Sequence, residues 1–173
     1  LKLDDESSIS SLSAMTGNAG SINIVADRLD VLGQSKIETS TEYRATNLEE
    51  LNLVGGLGGD LSIDAKELYL INGSLDVGTK GSGESGTVNI KSDILLMKGG
   101  KINADASGES YVTENRPTGE WEAFEVSGED TWQFAAGDGP LVEIKTGRIE
   151  LSEESSIDLT STGAGDAGML SIE

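Results

Sequence analysis

The sequence lacks several residue types on which common protein chemistry depends. Its 173 residues include no cysteine, no histidine, only two prolines and only seven aromatic residues. The absence of cysteine excludes disulfide frameworks and thiolate metal sites, and the absence of histidine excludes most zinc sites and every Ser-His or Cys-His dyad. Many classes of enzyme are therefore excluded before any motif is considered.

Basic residues are scarce as well. The chain has 12 Lys and Arg against 31 Asp and Glu, so its formal net charge is −19. A nucleic-acid surface needs clustered basic side chains that displace counterions from phosphates, so we expect no nucleic-acid partner. The longest apolar run, Ile94 to Met97, is far shorter than the roughly 20 residues of a transmembrane helix, so we expect no membrane insertion.

The two ends of the sequence resemble cuts through a repeating structure. Leu1 is not an initiator methionine, and no charged stretch followed by an apolar stretch lies near it. Met169 to Glu173 resembles the beginning of an apolar strand. We expect residues 1–173 to form a single structural segment of a longer chain.

A glycine-rich turn followed by a short alternating strand recurs five times. The turns begin at Gly17, Gly56, Gly83, Gly137 and Gly165, with spacings of 39, 27, 54 and 28 residues. Four of them have the form Gly-x-x-Gly, and the one at Gly137 is Gly-Asp-Gly-Pro. A basic unit of about 27 residues with two insertions accounts for these spacings.

Each unit carries apolar residues at equivalent places. A first pair follows the glycine turn: Ile22/Ile24, Leu61/Ile63, Val88/Ile90, Val142/Ile144 and Leu170/Ile172. A small residue two places later is expected to turn the chain at a corner: Ala26, Ala65, Ser92 and Thr146. A second pair comes next: Leu1/Leu3, Leu29/Val31, Leu68/Leu70, Ile94/Leu96 and Ile149/Leu151. A single third apolar residue completes the unit: Ile9, Ile37, Leu75, Ile102 and Ile157.

This pattern predicts an all-β solenoid. Apolar residues spaced by two indicate strands with one buried face, and three short strands cannot bury those faces within one unit. Stacked units can bury them, because each apolar residue then lies above its equivalent. We therefore predict a right-handed parallel β-helix of five to six coils of about 27 residues, with two loop insertions. A β-sandwich also has short alternating strands, but it gives no reason for a repeat in register.

The repeat resembles the shaft of a known family of exoproteins. The pattern Gly-x-x-Gly-x-ϕ-x-Ile-x-Ala, then Leu-x-ϕ, then Gly-x-Ser-x-Ile (ϕ apolar) is carried by residues 17–39, 56–77 and 137–168. It is similar to the shaft repeats of filamentous-haemagglutinin-like exoproteins, the secreted partners of two-partner secretion systems in Gram-negative bacteria. The cyanobacterial type of these repeats is the most similar.

The resemblance implies a function at the cell surface. It implies passage through an outer-membrane β-barrel transporter, followed by a role in adhesion, biofilm formation or contact-dependent toxicity. The family's secretion domain usually carries Asn-Pro motifs, whereas the two prolines here follow Arg116 and Gly139. We therefore expect a structural shaft segment of a secreted adhesin, with adjoining β-helix coils, the transporter of the parent chain, and surface glycans or other cells as partners.

Two insertions interrupt the repeat, at residues 40–54 and 105–136. The second holds five of the seven aromatic residues: Tyr111, Trp121, Phe124, Trp132 and Phe134. One hypothesis makes these residues a contact loop of a carbohydrate-binding module, because sugars stack on aromatic rings and bond to carboxylates. The other makes them a small core that fastens the loop to the flank of the solenoid.

Catalysis and metal binding are the remaining alternatives. Some parallel β-helices cleave acidic polysaccharides, but the basic residues here are scattered and the negative charge repels an anionic polymer. We therefore expect no enzyme activity and no catalytic residues. Gly55 to Asp60 matches the opening of a calcium-binding repeat but has no tandem copy. We expect no cofactor and no specific metal site, with only weak, non-specific association of Ca²⁺ with the acidic surface.

Overall fold

The computed structural model describes residues 1–14, 17–42, 56–80, 83–107, 113–115, 121–123, 139–162 and 168–173. This part of the chain consists of β-strands, turns and extended connections, without a helix. Consequently, it contains no apolar helix of the length that a bilayer requires. The strands are β1 Lys2–Leu3, β2 Ser8–Ala14, β3 Ile22–Leu32, β4 Lys36–Glu42, β5 Leu61–Ile71, β6 Ser74–Lys80, β7 Thr87–Lys98, β8 Lys101–Ser107, β9 Thr113–Asn115, β10 Trp121–Ala123, β11 Leu141–Ser152, β12 Ser156–Thr162 and β13 Met169–Ile172.

Two parallel sheets contain all but two of these strands. Sheet A has the order β1-β3-β5-β7-β11-β13, and sheet B has the order β2-β4-β6-β8-β12. The chain alternates between the sheets, so a strand of sheet A and the following strand of sheet B form one repeat. Strands β9 and β10, which lie between β8 and β11 in the sequence, form an antiparallel pair with each other. The all-β class and the parallel stacking are therefore confirmed, and the arrangement is compatible with a β-helix.

The strand register confirms two of the three predicted sets of apolar residues. Ile24 pairs with Ile63, Ile63 with Ile90, and Ile90 with Ile144 in successive strands of sheet A. In sheet B, the third residues of the units pair in the same way, in the order Ile9, Ile37, Leu75, Ile102 and Ile157. Residues one unit apart thus occupy the same position in neighbouring strands.

The predicted second pair Ile94/Leu96 is wrong by one residue. Leu95 and Met97 occupy the buried positions that pair with Leu68 and Leu70, whereas the predicted Ile94 and Leu96 are only partly buried on the outer face. Four consecutive apolar residues, 94–97, permit either alternation. The pairing of β5 with β7 keeps a constant register from Val88 onward, and this register selects Leu95 and Met97.

Each long strand of sheet A bends near its middle. Pairing between β3 and β5 continues to Ala26 and Ala65, omits Asp27 with Lys66, and resumes at Arg28 with Glu67. In β3, the buried positions are even-numbered before the bend, as at Ile24, and odd-numbered after it, as at Leu29. The first and second segments of the strand therefore face one common interior, and the predicted small corner residues precede the bend.

Both sheets contribute to a single hydrophobic core. Ile63 and Leu68 from sheet A and Leu75 from sheet B are buried and belong to the same cluster. Threonines line one part of this interior: Thr41 Oγ1 lies 3.0 Å from the Gly56 carbonyl oxygen and 2.9 Å from Thr79 Oγ1. The buried hydroxyl groups thus have hydrogen-bond partners between neighbouring repeats.

Candidate functional site

Most of the predicted contact loop lies outside the described residues. Tyr111, Phe124, Trp132 and Phe134 are not among them. The backbone of Trp121 begins β10, where it pairs with Asn115 of β9. The contact-loop hypothesis and the packing hypothesis therefore both stay predictions.

The strands β4 and β8, where the two predicted insertions begin, end at the same side of sheet B. Glu42 at the end of β4 pairs with Lys80, and Lys80 pairs with Ser107 at the end of β8. The predicted insertions thus begin within paired strands, because residues 40–42 belong to β4 and residues 105–107 belong to β8, and both strands are in register with β6 between them.

The outer face of sheet B contains a groove, which we call the sheet B groove. Its volume is about 590 Å³, and its lining residues come from all five strands of the sheet. Adjacent parallel strands are spaced by about 4.8 Å, so the groove crosses a stack about 20 Å long. Its volume lies within the range of roughly 300–1,000 Å³ that small-molecule sites occupy.

Two rows of outward-facing positions form the groove. One row has a polar or acidic residue in each repeat, in the order Ser10, Glu38, Asp76, Asn103 and Asp158, and all of these except Ser10 line the groove. The other row has the order Leu12, Ser40, Gly78, Asp105 and Thr160. Gly78 has no side chain, and a Cβ atom there would lie only 3.1 Å from the carbonyl oxygen of Asp105 in the next strand. Sequence reasoning missed the groove, although every member of the first row directly follows the third apolar residue of its unit.

Hydrogen bonds orient the side chains at the centre of the groove. Asn103 Nδ2 donates to Asp76 Oδ1 at 2.6 Å, and Ser74 Oγ donates to Asp76 Oδ2 at 2.5 Å. Lys36 Nζ lies 2.6 Å from Glu38 Oε2. These contacts connect neighbouring repeats through Asp76 and Asn103 and fix the position of an amide and two carboxylates.

The groove is electrostatically negative. Four carboxylates line it, from Glu38, Asp76, Asp105 and Asp158, and the ammonium group of Lys36 lies beside the first of them. The pKa of Lys36 is raised, first by the hydrogen bond to Glu38 and then by the charges of Glu38 and Asp76. Lys36 therefore stays protonated at neutral pH. The remaining carboxylates and the Asn103 amide favour ligands that donate hydrogen bonds, such as hydroxyl and ammonium groups.

Acidic residues occupy two of the turns that join sheet A to sheet B. Asp5 and Glu6, and likewise Glu153 and Glu154, have positive φ angles between sheet A and sheet B strands. Asp60, from the calcium-like motif, accepts a hydrogen bond from the backbone N–H of Thr87 in the next repeat at 2.9 Å. Within the described ranges, no group of three or more acidic side chains is arranged to hold a metal ion.

Comparisons with known proteins give no family for this chain. No family model, no curated protein and no solved structure matches it. A functional conclusion therefore rests on the repeat geometry, on the groove and on the resemblance of the sequence motifs.

Proposed function

We propose that the chain is a segment of a right-handed parallel β-helix that serves as a structural shaft in a secreted, surface-exposed adhesin-like protein. The observation that carries this proposal is the constant register of the repeats around one core. Inward-facing residues such as Leu29, Leu68 and Leu95 lie above one another and have no solvent exposure. Such a stack lengthens by adding repeats without changing its cross-section.

The proposed mechanism is mechanical. Hydrogen bonds between parallel strands run along the axis of the stack, and each repeat adds about 4.8 Å of length. The shaft would present the insertions at residues 40–54 and 105–136 at a distance from the cell. Salt bridges between repeats cover the outside, for example Lys66 with Asp27 at 2.7 Å and Lys91 with Asp64 at 3.0 Å.

The proposal includes a place and a route. We infer secretion by a Gram-negative bacterium, through the outer-membrane transporter of a two-partner system, with surface glycans or other cells as the targets. This part is supported by the likeness of residues 17–39, 56–77 and 137–168 to shaft repeats. The absence of cysteine agrees with passage through an oxidising compartment.

Excision of the long insertion tests the shaft. In the variant, residues 108–140 are replaced by Gly-Ser-Gly-Glu-Ser-Gly, the connection at 81–86 of the uninterrupted repeat. Strand β8 already pairs with β12 and β7 with β11, so we expect the fold to be retained. The free energy of unfolding is expected to rise by about 1.5 kcal/mol, because the shorter connection costs less entropy to close. Urea unfolding followed by circular dichroism measures this change.

The same variant tests the presentation of the insertion. Beads coated with the whole chain are expected to be retained on a layer of Gram-negative cells, and beads coated with the excised variant are expected to be lost. Loss of the β-sheet spectrum on excision would contradict the shaft. Retention of the excised beads at the level of the whole chain would contradict a role of the insertion in attachment.

A second candidate function is carbohydrate binding in the sheet B groove. The row containing Asp76, Asn103 and Asp158 supports it, because carboxylates and amides at a spacing of about 4.8 Å can accept hydrogen bonds from successive sugar hydroxyls. We expect any glycan retained on an array to bind at least tenfold more weakly to the Asn103→Ala and Asp158→Ala variants. Asn89→Ala on the outer face of sheet A is the matched control. Equal loss of binding in the control would contradict the groove as the site.

A further inference from the structure

The lining of the sheet B groove carries charge of one sign. Four of its side chains are carboxylates, and no lysine or arginine is among the described residues that line it. Lys36 lies beside the groove, but its ammonium group is paired with Glu38. Asp105 and Asp158 are exposed, and their carboxylates have no ion-pair or hydrogen-bond partner within the part of the chain that the structure describes. These two carboxylates are therefore available to a cationic ligand.

The groove also has an apolar part. Leu12 and Ala14 of β2 belong to its lining, and Leu12 is 61% exposed. A ligand that covers Leu12 removes apolar surface from water, which favours binding. The lining thus matches a ligand that has both cationic groups and apolar surface, rather than a simple cation.

The backbone of the groove is not available to a ligand. Strands β4, β6 and β8 each pair with a neighbouring strand on both sides, so their N–H and C=O groups bond within sheet B. Extended peptides that bind to sheets do so by adding a strand at a free edge. A ligand in the groove is therefore recognised by side chains alone, which favours a sugar chain over an extended peptide.

We propose that the sheet B groove binds a chain of amino sugars, with ammonium groups on its carboxylates and sugar rings on its apolar part. The proposal rests on the second candidate function, carbohydrate binding in this groove, and names the class of ligand. A neutral sugar that covers Asp105 and Asp158 would remove water from two charges without replacing it by an opposite charge. An ammonium group supplies both the opposite charge and charge-assisted hydrogen bonds.

Two oligosaccharides that differ in charge test the class of ligand. A hexamer of glucosamine carries an ammonium group on each ring, and a hexamer of N-acetylglucosamine carries a neutral amide there. Binding to the whole chain is measured by titration calorimetry at about pH 6, where exposed aspartates are ionised. We expect the glucosamine hexamer to bind about tenfold more tightly at low salt, because each exposed ion pair contributes a factor of up to about five. In 1 M NaCl most of this difference is expected to disappear, because the Debye length falls to about 3 Å.

The Asp105→Asn/Asp158→Asn double variant tests the place of binding. Asparagine has nearly the shape of aspartate and both positions are exposed, so the fold is expected to be retained. We expect its affinity for the glucosamine hexamer to fall about tenfold, and its affinity for the N-acetylated hexamer to change by less than about twofold.

Asp64→Asn/Asp93→Asn is the matched control. Both residues are exposed in strands of sheet A, and the change in net charge is the same. We expect this variant to bind both hexamers as the unaltered chain does. An equal loss of affinity in the control would mean general attraction to the net charge of −19 and would overturn the proposal.

The remaining outcomes separate the class of ligand from the candidate function. Equal affinity for the two hexamers would overturn the amino-sugar ligand, but not carbohydrate binding in the groove. Equally tight binding of a hexalysine peptide would overturn the recognition of sugar rings. If neither hexamer binds, the proposal fails, and if no glycan on an array is retained either, the candidate function fails with it.

Discussion

Replacement of Gly59 or Gly86 by alanine is expected to lower the free energy of unfolding by about 3 kcal/mol or more. Gly20, Gly59 and Gly86 occupy the same position in successive repeats, two residues before the first apolar pair. A Cβ atom on Gly59 would lie less than 3.0 Å from the carbonyl oxygen of Gly20. A Cβ atom on Gly86 would lie less than 3.0 Å from the carbonyl oxygen of Gly59. The repeats would have to separate, because the obstructing atoms belong to the backbone.

Gly20→Ala is the matched control for these two substitutions. Gly20 is exposed, and the first atom that its Cβ would meet is the Oγ of Ser11, at 2.8 Å. A serine hydroxyl can rotate away, so we expect a change below about 1 kcal/mol. Chemical unfolding of all three variants measures the difference. Equal stabilities would contradict the close approach of successive repeats at this corner.

Leu70→Ala is expected to destabilise the chain by about 2–5 kcal/mol, the cost of a cavity in a packed core. Leu70 has no solvent exposure, and its neighbours in the adjacent strands are Val31 below and Met97 above. The side chain is therefore enclosed within the stack. Its truncation removes contacts with two repeats, and neither neighbour can fill the space without breaking the register.

Leu151→Ala provides the comparison at the same position of the repeat. Leu151 pairs with Met97 but is 46% exposed, since no described strand lies above the second segment of β11. We expect its truncation to cost about 1 kcal/mol or less in the monomer at low salt. Urea titrations of both variants give the two values. A loss at Leu151 as large as that at Leu70 would contradict stacking as the source of core stability.

The repeat itself was readable from the sequence, because apolar residues of one unit recur at fixed offsets from a glycine turn. Ile24, Ile63 and Ile90 follow from this alternation without knowledge of the structure, and their pairing is confirmed. The error at Ile94 and Leu96 has a physical reason. A run of four apolar residues satisfies either alternation, and only the hydrogen-bonded register with the neighbouring strand decides between them.

The sheet B groove was harder to foresee. Glu38, Asp76, Asn103 and Asp158 are distant in sequence, and acidic residues are so frequent in this chain that their presence alone carries little information. Their alignment appears only when the third apolar residues are placed one above another. The aromatic residues of the long insertion are conspicuous in the sequence instead, because composition alone separates them from the repeats.

Successive repeats stack directly, also across the long insertion, where β11 pairs with β7. The spacing there is 54 residues, twice the 27 of the uninterrupted repeat, so an additional coil between β7 and β11 is the alternative.

Asn89 pairs with Glu143 in the structure, and both side chains lie on the outer face. A free-thiol assay on the oxidised Asn89→Cys/Glu143→Cys double variant separates the two arrangements. Direct stacking predicts an intramolecular disulfide and loss of both thiols, since neighbouring strands are about 4.8 Å apart. Two free thiols in the folded monomer would contradict it, because an intervening coil would separate the two positions by about 10 Å.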